Sequence, residues 1–261
     1  MALRRTQALV IGRMALGESD RLVTFYTREF GKVRGVAKSA RRPRSRFGSA
    51  LEPFTLGQLL FFETERTDLV QVDSFDIVHP FLPVRENLDR LTHGSWVVEC
   101  LGRLSADRDP HPALYGLLLR TLKALEGNGR PQRAAFCFGV RAVDLLGHRL
   151  RLDRCLACGK LSPVDPGPAR LDFTAGGLVC KPCARHGSDG VDLSGSAVGG
   201  LRRFRTLHWE EALGAALPPG VEAELTGALE AHMTRLIGQV PRTSRFLTQT
   251  RRALGIPGDS R

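Results

Sequence analysis

The sequence predicts an α+β protein of several domains: a five-stranded barrel at the N-terminus, then an α-helical domain that a small four-cysteine module interrupts. Three observations support this. Short apolar runs separated by turn-forming residues fill residues 6–77. Apolar residues then recur at helical spacing, and two Cys-x-x-Cys pairs lie between helical stretches. With 261 residues, the chain is long enough for two or three modules.

The N-terminal fifth of the chain carries most of the net charge. The whole protein has a formal charge of +11 and a sequence pI of about 10.1. Residues 1–50 hold twelve Lys or Arg against three Asp or Glu, a local charge of +9. Seven of the twelve lie within residues 31–46, which contain no acid. This excess favours a nucleic-acid partner, although ribosomal contacts, anionic lipid or a solvated basic surface also fit it.

Five segments of the first module read as strands, because they are rich in Val, Leu, Ile and Phe and are bounded by Gly, Asp, Ser or Pro. They are residues 6–14, 22–27, 32–37, 56–62 and 69–77. Five short antiparallel strands suit a closed barrel, since an open sheet of this size leaves its edges exposed. The sequence therefore predicts an OB-type barrel, whose loops commonly carry single-stranded nucleic acid.

A basic loop follows the third strand, and a proline interrupts it, so we expect a flexible cationic segment. The predicted nucleic-acid contacts are the cations of the third strand and this loop: Lys32, Arg34, Lys38, Arg41, Arg42, Arg44 and Arg46. Tyr26, Phe30 and Phe47 flank the charges. They either belong to the barrel core or stack on bases.

Helical spacing begins after the His79-Pro80 and Leu82-Pro83 pairs, because residues before proline avoid the helical region. Three amphipathic helices are predicted within residues 88–146, one from Asp192 or Ser194, and one over residues 221–238. Three arginines share a face of the fourth helix: Arg202, Arg203 and Arg205. They either extend a nucleic-acid track or form a solvated face.

The two Cys-x-x-Cys pairs, Cys155 with Cys158 and Cys180 with Cys183, predict a metal site. Four thiolates complete a tetrahedron and leave no position open for water, so we expect one structural Zn²⁺ per chain. A redox pair or a vestigial site remains the alternative. His148 and His186 are not counted as ligands, because four thiolates suffice, and Cys100 and Cys137 are interpreted as packing residues.

The sequence contains no phosphate-binding loop, dinucleotide fingerprint, zinc-protease motif or nucleophile elbow. Glu18 and Asp20 are the nearest approach to a carboxylate pair and are expected to shape a turn. We therefore expect a protein that is not an enzyme, with a metal-dependent nuclease as the enzymatic alternative. No run of 18 apolar residues occurs, and a cytoplasmic location with reduced cysteines is expected.

Residues 8–62 resemble the N-terminal domain of the RecO family of bacterial recombination mediators. The resemblance rests on four motifs in order: Gly17-Glu18-Ser19-Asp20, Thr27-Arg28-Glu29-Phe30-Gly31-Lys32, Arg46-Phe47-Gly48 and Leu51-Glu52-Pro53-Phe54. Residues 239–247 resemble the family's C-terminal pattern. Some members of that family carry a cysteine quartet and others do not.

The resemblance implies an OB fold that binds single- and double-stranded DNA, anneals complementary strands and acts with RecR. It also implies that the protein helps RecA to replace single-strand-binding protein on DNA. The expected domains are 1–79 for the barrel, 80–150 and 191–261 for the helical domain, and 151–190 for the zinc module. The alternative is a zinc-containing RNA- or ribosome-associated protein with the same barrel.

Overall fold

A computed structural model describes residues 2–63, 67–160, 167–185, 187–218 and 220–246. The chain forms two compact units, Met1–Pro131 and Gln132–Arg261. His186, which was not counted as a metal ligand, lies outside the described residues, as do residues 247–261. The four predicted domain ranges stay a prediction.

The first unit contains the predicted barrel, and all five strands are confirmed. They form one closed sheet in the order β1-β2-β3-β5-β4. The strands are β1 Ala2–Leu16, β2 Asp20–Thr27, β3 Gly31–Ala37, β4 Leu56–Glu63 and β5 Val70–His79. The expectation of antiparallel pairing throughout was wrong at one place, because β3 and β5 pair in parallel to close the barrel.

Alternation along the strands determines which residues fill the barrel. Val23, Phe25 and Val33 are fully buried and face inward, whereas Thr24 and Arg34, which follow Val23 and Val33, face outward. The closure of β3 on β5 requires a glycine at position 35, since a Cβ there would lie 2.7 Å from the side chain of Val72. A period of two over β2 and β3 therefore divides their residues between core and outer surface.

The turn from β2 to β3 depends on Gly31. Its φ of +62° is a left-handed conformation that favours glycine, and an added Cβ would lie 2.1 Å from the carbonyl oxygen of Asp109. The Thr27 hydroxyl donates to the Gly31 carbonyl oxygen and accepts from the backbone N–H of Phe30. The residues between Thr27 and Gly31 thus form a tight turn packed against the segment after the second helix.

Three helices complete the first unit: α1 Leu82–Glu86, α2 Leu88–Leu104 and α3 Pro112–Glu126. The Asn87 side chain begins α2 by accepting from the backbone N–H of Arg90. Tyr115 of α3 donates to the Gln7 side chain at 3.2 Å, and its ring stacks on Tyr26 at 6.4 Å between centroids. Tyr26 is therefore a packing residue between barrel and helices, not an exposed stacking platform.

The second unit combines four helices with a small sheet. The helices are α4 Pro131–Leu145, α5 Gly195–Thr206, α6 Trp209–Gly214 and α7 Val221–Ile237. The strands β6 Ala169–Asp172, β7 Gly177–Cys180 and β8 Gly190–Leu193 pair in the order β7-β6-β8. Buried Arg133 pairs with Glu222 of α7 at 2.8 Å and donates to the Ala215 carbonyl oxygen at 2.7 Å.

The short helix α6 was not predicted from the sequence. Over the described part of the chain, none of the helices has the length and apolar character needed to cross a membrane.

Candidate nucleic-acid interface and metal centre

The β1–β2 hairpin holds the basic loop of residues 38–55. The Asp20 carboxylate accepts from the backbone N–H of Ser39 at 2.7 Å, where Ser39 has a left-handed φ of +57°. Arg41 donates its backbone N–H to the Ser19 carbonyl at 2.9 Å and its guanidinium to the Gly17 carbonyl at 2.8 Å. The Gly-Glu-Ser-Asp motif therefore fixes where the loop begins, a role beyond the turn expected for Asp20.

The far end of the loop lies in the barrel. Phe47, Leu51 and Phe54 are buried; the backbone N–H of Phe54 donates to the Val10 carbonyl of β1, and that of Val10 donates to the Thr55 carbonyl. The sequence predicted a flexible loop, but the chain folds here into successive turns because apolar residues interrupt the arginines. Phe47 belongs to the core, and partly buried Phe30 packs against Phe61 at 5.5 Å between centroids.

The loop presents its cations to solvent. Lys38, Arg42 and Arg44 are exposed, and none of the described residues hydrogen-bonds or pairs with their side chains. Arg46 is also exposed; its guanidinium lies 5.1 Å above the Phe47 ring and 3.9 Å from the Asp73 carboxylate. These side chains are therefore accessible to an anion in solution.

Electrostatics at the start of the loop follow from these positions. The backbone N–H of Ser39 and then the Ser19 hydroxyl hold the pKa of Asp20 below its ordinary value, and the charges of Lys38 and Arg42 act in the same direction. Asp20 therefore stays ionised and accepts these hydrogen bonds at neutral pH.

The two predicted contacts on β3 differ from those of the loop. The Lys32 ammonium donates to the carbonyl oxygens of Gly102 at 2.6 Å and Ser105 at 2.7 Å, and it pairs with Asp107 at 3.1 Å. Its side chain is only 14% exposed. Arg34 also pairs with Asp107 at 3.1 Å, but its side chain is 45% exposed. Lys32 is thus occupied inside the unit, whereas Arg34 still faces solvent.

The four cysteines predicted as ligands come together in the second unit. The Sγ atoms of Cys155, Cys158, Cys180 and Cys183 all lie within 4.8 Å of one another, and those of Cys158 and Cys180 are 3.8 Å apart. A tetrahedral ion with metal–sulfur bonds of about 2.3 Å requires sulfur–sulfur distances of about 3.8 Å. The cluster could therefore hold a metal ion.

Backbone pairing brings the two cysteine pairs together. Leu178 of β7 donates to the Arg151 carbonyl at 2.9 Å and accepts from the backbone N–H of Leu156 at 2.9 Å. A Cβ on Gly177 would lie 2.2 Å from the Arg151 carbonyl oxygen, so only glycine permits this approach. β7 then ends at Cys180, and a single 3₁₀ turn, Lys181–Cys183, carries the fourth sulfur.

The cluster's protonation fits a cation site. Burial opposes ionisation of Cys155, but backbone N–H groups, first that of Cys180, outweigh it and lower its pKa to about 6. Hydrogen bonds to the sulfurs of Cys180 and Cys158 instead raise the pKa of Cys183. Four thiolates this close repel one another, so full ionisation requires a cation between them.

Arg202 and Arg205 have a role that neither sequence-based alternative included. Arg202 donates to the Leu152 carbonyl at 2.6 Å, and Arg205 donates to the Leu150 carbonyl at 2.8 Å while pairing with Asp144 at 3.1 Å. They hold the chain that enters the cysteine cluster. Periodicity placed both on one face but did not reveal the carbonyl groups opposite. Arg203 is exposed.

Comparisons with known proteins cover nearly the whole chain. Residues 1–81 match the family model described as "Recombination protein O N terminal", and residues 85–246 match "Recombination protein O C terminal". The chain is 37% identical over 250 residues to a "DNA repair protein RecO" of Anaeromyxobacter sp. (strain Fw109-5), covering 95% of this chain and 96% of the relative. It is 33% identical over 242 residues to that of Myxococcus xanthus, covering 93% and 96%. The Geobacter sulfurreducens relative is 36% identical over 235 residues, covering 88% and 93%.

Proposed function

The chain belongs to the RecO family of recombination proteins, which places it in recombinational DNA repair, and from this premise we propose that it binds DNA through its barrel and anneals complementary strands. The observation that carries the proposal is the exposed cationic loop held on the barrel by Asp20. The protein contacts backbone phosphates through the outward-facing cations of β3 and the loop, which are Arg34, Lys38, Arg41, Arg42, Arg44 and Arg46. Lys32 is assigned to the fold instead.

Annealing by such a surface needs no fuel. Two single strands repel each other through their phosphates, and a cationic surface that binds both lowers this repulsion while counterions are released. Base pairing then supplies the driving force. We therefore assign no catalytic step to the protein. Annealing makes and breaks no covalent bond, because the duplex differs from the two single strands only in its base pairs.

The proposal extends to partners through the family. The protein acts with RecR and with DNA coated by single-strand-binding protein, onto which RecA is then loaded. These encounters take place in the cytoplasm, where DNA and these partners are found. Binding of both single- and double-stranded DNA is compatible with contacts to phosphate, because phosphates are common to both forms.

The cysteine cluster holds one structural Zn²⁺ per chain in this proposal. Zinc is the metal that four-thiolate tetrahedral sites commonly hold, and with four protein ligands it supplies no catalytic water. Cys155, Cys158, Cys180 and Cys183 would bind it, and the ion would fix β7 against the segment before Cys155. The cluster thus stabilises the second unit without taking part in annealing chemistry.

Fluorescence annealing of two complementary oligonucleotides, without ATP, tests the proposed function. The protein should accelerate annealing and should bind labelled single-stranded DNA at least as tightly as RNA of equal length. A clear preference for RNA would support the RNA-binding alternative. DNA cleavage in the presence of Mg²⁺ or Mn²⁺ would indicate a nuclease. Either result, or no acceleration, would contradict the proposal.

A further inference from the structure

Three apolar residues form a row across the outer surface of the barrel, and we propose that this row contacts the bases of single-stranded DNA. The row consists of Met14 on β1, Leu22 on β2 and Val36 on β3. The inference rests on the proposed DNA binding and adds to it the site where bases lie, because the cations described above contact phosphates alone.

Strand register places the three side chains side by side. Met14 is the direct partner of Leu22, and Leu22 is the direct partner of Val36. Directly opposed residues project from the same face of a sheet. Their neighbours Val23 and Ala37 are fully buried in the barrel, so the row faces outward.

The row reaches the surface at Met14, unlike another row on the same face. Met14 is 61% exposed, the largest exposed fraction among the described large apolar side chains, and Leu22 and Val36 are partly buried. Towards the other end of the strands, Leu9 pairs with Tyr26, and both are fully buried, with Tyr115 stacked on Tyr26. A helix thus covers one end of this face, whereas Met14 stays exposed at the other end.

One cation lies beside the row on β3 and a second follows the end of that strand. Arg34 precedes Val36 by two residues on β3, so it projects to the same side of the strand, and the exposed Lys38 follows directly after the last residue of the strand. The Arg34 pairing with Asp107 is about half exposed, and a phosphate competes with such a pair at little cost. Apolar side chains beside these cations match a single strand of nucleic acid whose bases lie on the row and whose phosphates lie next to it.

The occupant to which these features point is single-stranded nucleic acid. Three side chains present far less than the roughly 800 Å² per partner of a stable protein interface. A surface with a local charge of +9 over residues 1–50 attracts polyanions. In a duplex the bases are stacked and paired, so their faces are unavailable to the row. The row therefore distinguishes single strands from duplexes.

Replacement of Met14 by Gln tests the inference in the full-length protein. Its affinity for oligo(dT) should fall about three- to tenfold, because apolar contact with the bases is lost. The slope of log affinity against log salt should not change, since no phosphate contact is removed. Affinity for an abasic oligomer of equal length and for a duplex should stay at the parent value. Leu88→Gln is the matched control, because Leu88 is 59% exposed on α2, away from the row.

Unchanged affinity of Met14→Gln for oligo(dT), with the fold intact by circular dichroism, would overturn the inference. An equal loss for oligo(dT) and the abasic oligomer would overturn it too, because the row would then not read bases. These results leave DNA binding itself in place. If instead the parent protein binds neither oligo(dT) nor the duplex, the proposed function fails. The affinity of the parent protein therefore distinguishes failure of the proposed function from failure of the inference.

Discussion

The Lys32 ammonium on β3 donates to the carbonyl oxygen of Ser105, at the end of α2, over 2.7 Å. With the Gly102 carbonyl and the Asp107 carboxylate, it completes three contacts inside the first unit. A lysine read from the sequence as part of a nucleic-acid surface therefore joins barrel and helix. The basic residues of the N-terminal fifth divide into those that hold the fold and those that remain available to an anion.

Replacement of Lys32 by Met should lower the free energy of unfolding by about 1 to 3 kcal/mol, because two partly buried carbonyl groups lose a charged donor. Urea unfolding followed by circular dichroism measures this. Lys38→Met is the matched control, since Lys38 is exposed, and it should change stability by less than about 0.5 kcal/mol. Equal stability of the two variants would show that Lys32 is not structural.

Gly31 and Gly48 both have positive φ angles, +62° and +49°, but only Gly31 has a close neighbour, the Asp109 carbonyl oxygen. Gly48→Ala should cost about 1 kcal/mol, from the left-handed backbone alone. Gly31→Ala should cost clearly more, because the turn must also move away from Asp109. Thermal unfolding compares the two, and a similar loss for both would contradict the close approach.

Purified protein should contain one zinc per chain under reducing conditions, measured by elemental analysis. Replacement of Cys158 by Ser should remove the zinc and lower the stability of the second unit. The loss should be smaller than the roughly 10 kcal/mol found for isolated zinc modules, since the flanking helices retain their own packing.

Cys137→Ser is the control for that substitution, because Cys137 is buried in α4 away from the cluster. It should retain its zinc. A clearly substoichiometric zinc content in the parent, or full zinc in Cys158→Ser, would refute the assignment of the metal.

His232 makes the second unit sensitive to acid. Burial lowers its pKa to about 4 from an ordinary 6.5. Between these two pH values the imidazole is protonated in the unfolded chain and neutral in the folded chain. Its contribution to stability is complete above pH 6.5 and is lost as the pH falls towards 4. Over the whole difference of about 2.5 between the two pKa values, the change amounts to about 3.5 kcal/mol, at about 1.4 kcal/mol per pKa unit.

The His232→Phe variant should lose this part of the pH dependence. Urea unfolding of the parent and the variant at pH 7.5, 6, 5 and 4.5 isolates the contribution of His232 to stability, because all other groups titrate in both proteins. Parallel curves for the parent and His232→Phe would contradict burial of a neutral imidazole.

The sequence predicted the five strands well, because inward and outward residues alternate and turn formers separate them. It missed the parallel closure of β3 on β5, since a strand's apolar pattern does not reveal its partner. The cysteine cluster was also predictable, because the spacing of each pair is a local property. The short helix α6 was missed because six residues are too few to show a helical repeat of apolar positions.

The partners of cationic side chains lie beyond what the sequence predicts. Lys32 and Arg42 are ten residues apart in one basic run, yet one is enclosed by carbonyl groups and the other faces solvent. The difference depends on residues about 70 positions away along the chain. Arg205 illustrates the same limit, because its carbonyl acceptor comes from the segment before the cysteines.

The salt dependence of single-stranded DNA binding tests the central claim most directly. Arg42 and Arg44 are the loop arginines to change, because Arg41 and Arg46 also have intramolecular partners. The variant Arg42→Gln with Arg44→Gln should flatten the slope of log affinity against log salt by about 1.4, at roughly 0.7 per phosphate contact. Its annealing rate should fall in parallel, with stability unchanged.

The matched control neutralises two exposed cations of α3, Arg120→Gln with Lys123→Gln, and should leave the slope within error of the parent. The measurement is a titration of fluorescent oligo(dT) at five salt concentrations for the parent and both variants. A slope reduced only in the Arg42 and Arg44 variant places phosphate at the basic loop. A slope and annealing rate equal to those of the parent, in a folded Arg42 and Arg44 variant, would contradict the account.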